Sequence, residues 1–229
     1  MIILTGDTHG EFGRIEEFCE VYDTTTEDIM VILGDAGINY WLDERDEALK
    51  ERLTELPLTL FCIHGNHEER PEEVPGYELV EWRGGQVWVQ PEYPNLLFAQ
   101  DGEVYDFSGR RVLVIGGAYS VDKQYRLANG MQWFPTEQPD ERTKTLVERR
   151  LDQLGWRIDV VLSHTVPLGY IPQYVLLPSI DQNGVDHSTE EWLAQIERRL
   201  IYESWYAGHY HVTCDVGRVH ILFEDYEEL

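Results

Sequence analysis

Short apolar runs that end in metal-ligand residues recur along this chain, and that recurrence limits its fold more than any other feature. Asp7-Thr8-His9 follows Ile2–Thr5, and Gly34-Asp35 follows Ile29–Leu33. Gly65-Asn66-His67 follows Leu58–Ile63, Ser163-His164 closes the run that begins at Asp159, and Gly208-His209-Tyr210-His211 follows Ser204–Ala207. Such β-branched and apolar runs read as buried strands. Open α/β sheets present their functional loops at the carboxyl ends of strands. The pattern therefore predicts sheet edges at which these polar clusters gather.

A further buried strand is expected at Arg111–Ile115, with weaker ones at Glu78–Trp82, Gln86–Gln90 and Leu96–Ala99. Arg83-Gly84-Gly85 joins the first two of the weaker strands as a hairpin. Val212–Val216 and Val219–Glu224 suggest a second hairpin with Gly217 at its tip. Helical periodicity covers Phe12–Val21, Leu42–Leu56, Asp140–Leu154 and Thr189–Leu200. Asp140 can cap the third of these helices and Gly155 stop it, while Ser188 and Glu191 have capping-box spacing at the fourth. Helices and strands alternate early and hairpins become frequent later. That order predicts an α/β fold with a mixed sheet, or two sheets packed face to face, and helices outside. The chain has 229 residues, 42% of them hydrophobic, and no repeat or linker, so it reads as one domain. Its least regular stretch, residues 116–139, carries Tyr119, Tyr125, Trp133 and Phe134 and is expected to be a substrate-facing loop or lid.

Charge narrows the partners. Against 43 acidic residues stand 18 basic ones, a net charge of −25, with lysine only at positions 50, 123 and 144. Binding to duplex nucleic acid depends on Lys and Arg neutralising phosphates, and adsorption to anionic membranes depends on the same cations. Neither partner is expected. Met1–Leu4 reads as a first strand rather than the basic flank and apolar core of a signal peptide. Cys19, Cys62 and Cys214 form no paired spacing, which favours free thiols and a cytoplasmic location.

The residue types in the clusters point to metal chemistry. On an extended backbone, residues two apart face the same side, so Asp7 and His9 can reach one metal, and His209 and His211 repeat that spacing. The two oxygens of Asp35 suit a bridge between two cations. Asn66 offers a neutral amide oxygen, a hard ligand, and His67 beside it is free for proton transfer. His164 is a lone histidine at a strand end. Each cluster alone would pass for a polar turn; together they are the ligand set of a divalent metal pair that activates water against phosphorus.

In this order, Asp-x-His, Gly-Asp, Gly-Asn-His-Glu, a lone His and Gly-His-x-His resemble the motif series of the calcineurin-like metallophosphoesterase superfamily, from Asp7 to His211. The resemblance implies a two-sheet sandwich with helices on both outer faces, four layers in all, and a binuclear site at the strand ends. By matching motif, it implies Asp7, His9 and His211 as ligands of one metal and Asn66, His164 and His209 as ligands of the other. It also implies Asp35 as the bridge and His67 as the proton donor to a departing alcohol. Two divalent cations are expected, manganese for preference, with iron, zinc, cobalt and nickel open to the same ligands.

Two departures shape the substrate expectation. Where many members place an acid three residues after the bridging aspartate, this chain has Ile38. Where protein-phosphatase relatives continue with Asp-Arg, Gly37-Ile38-Asn39-Tyr40 offers no arginine. A dianionic monoester gains most from such a clamp, so a small phosphodiester is the expected substrate. A phosphomonoesterase and a non-catalytic metal-binding scaffold are the alternatives. Arg70, Lys123 and Arg126 are candidate phosphate contacts, while His64, His187 and His220 match no ligand motif and are expected to be structural or exposed.

Overall fold

A computed structural model describes residues 1–176 and 182–229 of the chain. In chain order the strands are β1 (Ile2–Thr5), β2 (Ile29–Ile32), β3 (Thr59–Cys62), β4 (Glu78–Trp82), β5 (Gly85–Val89), β6 (Leu96–Ala99) and β7 (Val104–Phe107). There follow β8 (Arg110–Ile115), β9 (Val160–Ser163), β10 (Ser204–Ala207), β11 (Cys214–Val216), β12 (Val219–Ile221) and β13 (Glu227–Glu228). The helices are α1 (Gly13–Tyr22), α2 (Glu44–Thr54), α3 (Lys123–Ala128), α4 (Glu141–Gln153) and α5 (Ser188–Glu197).

Among the described residues these strands form two mixed sheets, of seven strands in the order β13-β1-β2-β3-β6-β5-β4 and of six in the order β11-β12-β10-β9-β8-β7. β1, β2, β3 and β6 run parallel at the centre of the first sheet, and β8, β9, β10 and β12 at the centre of the second. Antiparallel strands lie outside them.

Period two in the sequence decides the layers. Leu4, Val31, Phe61, Val114 and Leu162 point between the sheets into one shared core. Their neighbours alternate outward. Ile3, Met30, Ile32 and Leu60 pack beneath α1 and α2 with Ile15, Phe18 and Leu53. Leu113, Val161 and Trp205 pack beneath α4 and α5 with Val147, Leu151, Leu193 and Ile196. Both faces of β1, β2, β6 and β9 are thus buried, which is why those strands read as unbroken apolar runs. The result is the expected four-layer sandwich of helices, two sheets and helices.

Several expectations need correction. β7 had no counterpart in the sequence reading, and neither did β13, which has two residues. Residues 116–139 are not wholly irregular, because α3 lies within them. α2 begins at Glu44, two residues later than expected: Leu42 sits at φ +57, outside the helix, and the Asp43 carboxylate caps it by accepting Arg45 N. Asp140 does cap α4, accepting Thr143 N at 2.7 Å. Ser188 makes no capping box, since α5 already includes it. Its backbone N–H donates to Asp186 and its hydroxyl to Gln138.

Candidate metal centre

The loops after β1, β2 and β3 leave the first sheet at one edge, and those after β8, β9 and β10 leave the second. Gly117 N, after β8, donates to His64 O, after β3, and joins the two edges, while further backbone bonds tie neighbouring loops within each sheet. Asp35 O accepts the amides of Thr8 and His9, and His164 O accepts Gly208 N. Two glycines are required by closeness alone. A Cβ on Gly65 would lie 2.0 Å from Asp35 Oδ1, and one on Gly34 would lie 2.0 Å from His164 Nδ1.

Asp7 is buried at the centre. Its Oδ1 accepts His209 N at 2.9 Å, while Oδ2 has no hydrogen-bond partner. That bare oxygen lies 3.2 Å from His211 Nε2 and 3.7 Å from His9 Nε2, and the two imidazole nitrogens are 2.9 Å apart. Asp35 Oδ1 accepts His67 N, and its Oδ2 lies 3.6 Å from His164 Nε2 and 3.9 Å from His9 Nδ1. Asp7, His9 and His211 therefore form one group able to hold a metal, and Asp7, Asp35 and His164 form a second.

His164 is buried, and its Nδ1 lies 2.8 Å from the Leu33 carbonyl, which can only accept. Nδ1 therefore carries the proton, and in the neutral ring Nε2 presents a lone pair. That lone pair faces Asn66 Oδ1 at 2.8 Å, while the Asn66 amide nitrogen donates to Ser120 Oγ. Two acceptors turned toward each other need a proton or a cation to share. The bare Asp7 oxygen among imidazole nitrogens makes the same demand, as does burying Asp7 and Asp35 together. On these grounds the residues fit a pair of divalent cations. His209 is half-buried with its ring 4.9 Å from that of His164, whereas the His211 ring lies 5.0 Å from that of His9.

The convergence of Asp7 with His9 was expected from an extended backbone; the turn does it differently. His9, His209 and His211 have φ of +48°, +70° and +50°. Left-handed turns bring Asp7 and His9 together, and they send His209 and His211 to different halves of the site.

The charges respond to this crowding. Burial alone would raise the Asp7 carboxyl, but the His211 contact and the charges of His164 and His9 hold it below its ordinary value. Burial likewise works against ionised Asp35, and His164, His67 and His9 overcome it. Burial, then His164, pulls His209 down to about 3, whereas the contact with Asp7 lifts His211. Glu68 accepts Gly65 N and Gly37 N at 3.0 Å each, and burial followed by the charge of Asp35 pushes it up to about 7. His64 is buried beneath the site, and burial followed by Arg70 keeps it neutral.

The position where an acid is missing, Ile38, is wholly buried in the core under α1 and α2. Another element stands over His67. Arg126 Nη2 lies 3.3 Å from His67 Nε2, and Arg126 Nε donates to Asp122 Oδ2 at 2.8 Å. A further nitrogen of the guanidinium contacts Tyr40 OH and Gln132 O. Burial, with Arg126 adding to it against Asp35 and Asp122, lowers the His67 pKa. Sequence reasoning missed Asp122 and Ser120. Their only signal was membership of the 116–139 segment. Arg70, by contrast, is buried with its guanidinium bonded to Asp101 Oδ2 and Thr136 O, and Lys123 Nζ rests 3.9 Å above the Trp133 ring.

Two clefts meet at the centre. One, of about 650 Å³, runs from His9, His67 and His211 to Tyr40, Trp41, Arg45 and Leu49, with Asp122 and Arg126 in its wall. The other, of about 410 Å³, is bounded by Val121, Val175, Leu176 and Tyr210. Both share His67, Asp122 and His211.

The family model for calcineurin-like phosphoesterases matches residues 1–213. The crystal structure of TT1561 of Thermus thermophilus is similar with a TM-score of 0.51 and 15% identity, covering 97% of this chain and 87% of that one. A second crystal structure is similar with a TM-score of 0.54 and 14% identity, over 96% of this chain and 88% of that one. At such identities the likeness concerns the fold. No curated protein matches the sequence.

Proposed function

The chain belongs to the calcineurin-like phosphoesterase family, and from that premise we propose that it is a binuclear metal-dependent phosphodiesterase acting on a small phosphate ester. Asp7, His9 and His211 would hold one divalent cation and Asn66, His164 and His209 the other, with Asp35 shared between them. Manganese is the preferred metal for this mixed nitrogen and oxygen set. Bound cations at such a centre supply an acidified water as nucleophile and offset charge on the phosphoryl oxygens. The remaining work falls to the protein. His67 holds the proton that the departing alcohol takes, because an alkoxide leaves poorly without one. Arg126, tethered by Asp122, positions the His67 ring where the acid is missing at Ile38. As a cation it opposes rather than supports the protonated ring, so His67 has to take up its proton against Arg126 when it acts as the acid. The 116–139 segment, which carries Ser120, Asp122 and Arg126, is the substrate-facing wall.

The observation that carries the diester reading is the pair of clefts meeting at His67, Asp122 and His211. A diester has two alcohol groups to place on either side of its phosphorus; a monoester has one. The phosphomonoesterase reading draws on Arg126, a cation at the centre that would favour a dianion. The manganese-loaded protein is expected to turn over bis(4-nitrophenyl) phosphate faster than 4-nitrophenyl phosphate. A clear preference for the monoester would reverse the assignment. His67→Ala should lose about 100-fold more activity on esters with alkyl leaving groups than on nitrophenyl esters, and equal losses would remove its acid role. Among the described residues no helix is long and apolar enough to cross a membrane. The free thiols of Cys19 and Cys62, both buried, support a cytoplasmic setting.

A further inference from the structure

The larger cleft ends in a wall that the proposed hydrolysis leaves without a role. Trp41 is 42% exposed there, with the Arg45 guanidinium 3.6 Å above its ring and Tyr40 meeting it edge-on at 4.7 Å. This wall is built rather than loose. Trp41 N donates to Asp46 Oδ2 at 2.9 Å and Leu42 N to the same oxygen at 2.7 Å. Asp46 is itself buried, and Gln132 donates to Trp41 O at 3.4 Å. The Arg45 plane is fixed by Asp43, whose Oδ1 lies 3.0 Å from Nε and Oδ2 2.6 Å from Nη2.

From this we infer that the cleft is a subsite for a neutral, planar ring carried by one alcohol group of the phosphodiester, such as a nucleobase. The inference rests on the diesterase reading above and deepens it. Flat π-faces stack on indole and guanidinium planes whatever their edge chemistry. Charge excludes the main competitor, a chain of further phosphates. Asp43 already neutralises Arg45 and Asp122 pairs with Arg126, which leaves Glu11 to add negative charge to the same cleft. The cleft volume of about 650 Å³ lies within the range that takes a nucleoside-sized group.

The test uses manganese-loaded protein hydrolysing bis(4-nitrophenyl) phosphate, with two unactivated diesters as competitors: adenylyl-adenosine, which carries rings, and glycerophosphoethanolamine, which carries none. For the wild type, the ring-bearing competitor should have an inhibition constant about tenfold lower. Trp41→Leu should raise that constant about tenfold and leave the one for glycerophosphoethanolamine unchanged, while Trp41→Phe, which keeps a ring, should retain most of the difference. Melting curves establish that the variants are folded. Equal constants in the wild type, or equal shifts for both competitors in Trp41→Leu, overturn the subsite. Absence of any turnover of bis(4-nitrophenyl) phosphate overturns the phosphodiesterase reading instead, so the two failures are told apart.

Discussion

Glu68 is the residue on which the loops after β2 and β3 close. It accepts one amide from each, Gly37 N and Gly65 N, yet lies fully buried near Asp35. Burial and that neighbouring charge raise its carboxyl from 4.5 to about 7. In the window from about 4.5 to about 7 the native protein therefore binds a proton that the unfolded chain has released. The Glu68 contribution to stability falls as pH rises through that window and levels off above it, by about 3 kcal/mol across its width. His64, His67 and His209 contribute in the opposite direction, since their lowered pKa values favour the native state as pH rises. Urea unfolding of the chelated protein and of Glu68→Gln at several pH values isolates the Glu68 contribution: between about pH 4.5 and 7 the wild-type stability should fall relative to that of the variant. Identical slopes in the two proteins would remove Glu68 as the cause. Other single residues were legible in the sequence because their chemistry is local: aspartate, histidine and asparagine beside glycine at strand ends. Asp122 was not, since nothing in Val121-Asp122-Lys123 marks it as the partner of an arginine that faces a histidine 59 positions earlier.

At the scale of elements, propensity and capping account for most of what forms, and the exceptions have identifiable reasons. β7 is a four-residue strand carrying Asp106, too short and too polar to register, yet it is fixed as the hairpin partner of β8 through Ser108-Gly109, both at positive φ. Tertiary burial does the rest: Tyr105 and Phe107 meet Phe61 edge-on in the shared core, with ring centroids 4.9 and 5.5 Å away. Helix starts divide by the same logic. The Asp140 side chain satisfies an orphan amide of α4, whereas the Ser188 hydroxyl turns to Gln138 instead of the backbone of α5. Asp140→Ala should therefore cost about 1 kcal/mol, or a fall in Tm of about 2–4 °C. Ser188→Ala should cost less than half of that. Equal effects in thermal melts would mean that capping does not distinguish these helices.

For the molecule as a whole, the candidate centre is the seam between two sheets. Asp7, Asp35 and Asn66 stand on loops of one and His164, His209 and His211 on loops of the other, so a cation pair would bind the folded state and not the open chain. Manganese at about 100 times its dissociation constant should add about 2.7 kcal/mol, raising Tm by about 5–10 °C. Asp7→Asn, which removes the carboxylate that lies with His9 and His211, should lose most of that rise. Coincident melts for chelated and manganese-loaded wild type would count against the centre. The sequence by itself determined the central parallel strands and the ligand types at their ends. Period two, side-chain branching and the chemistry of Asp, His and Asn act over a few neighbouring residues. Only the tertiary structure decided that Ser120, Asp122 and Arg126 close over Asn66 and His67. It also decided that Arg70 serves Asp101 and that Trp41 walls a cleft. Those outcomes depend on contacts between residues far apart in the chain, which are set by how the two sheets and their loops pack.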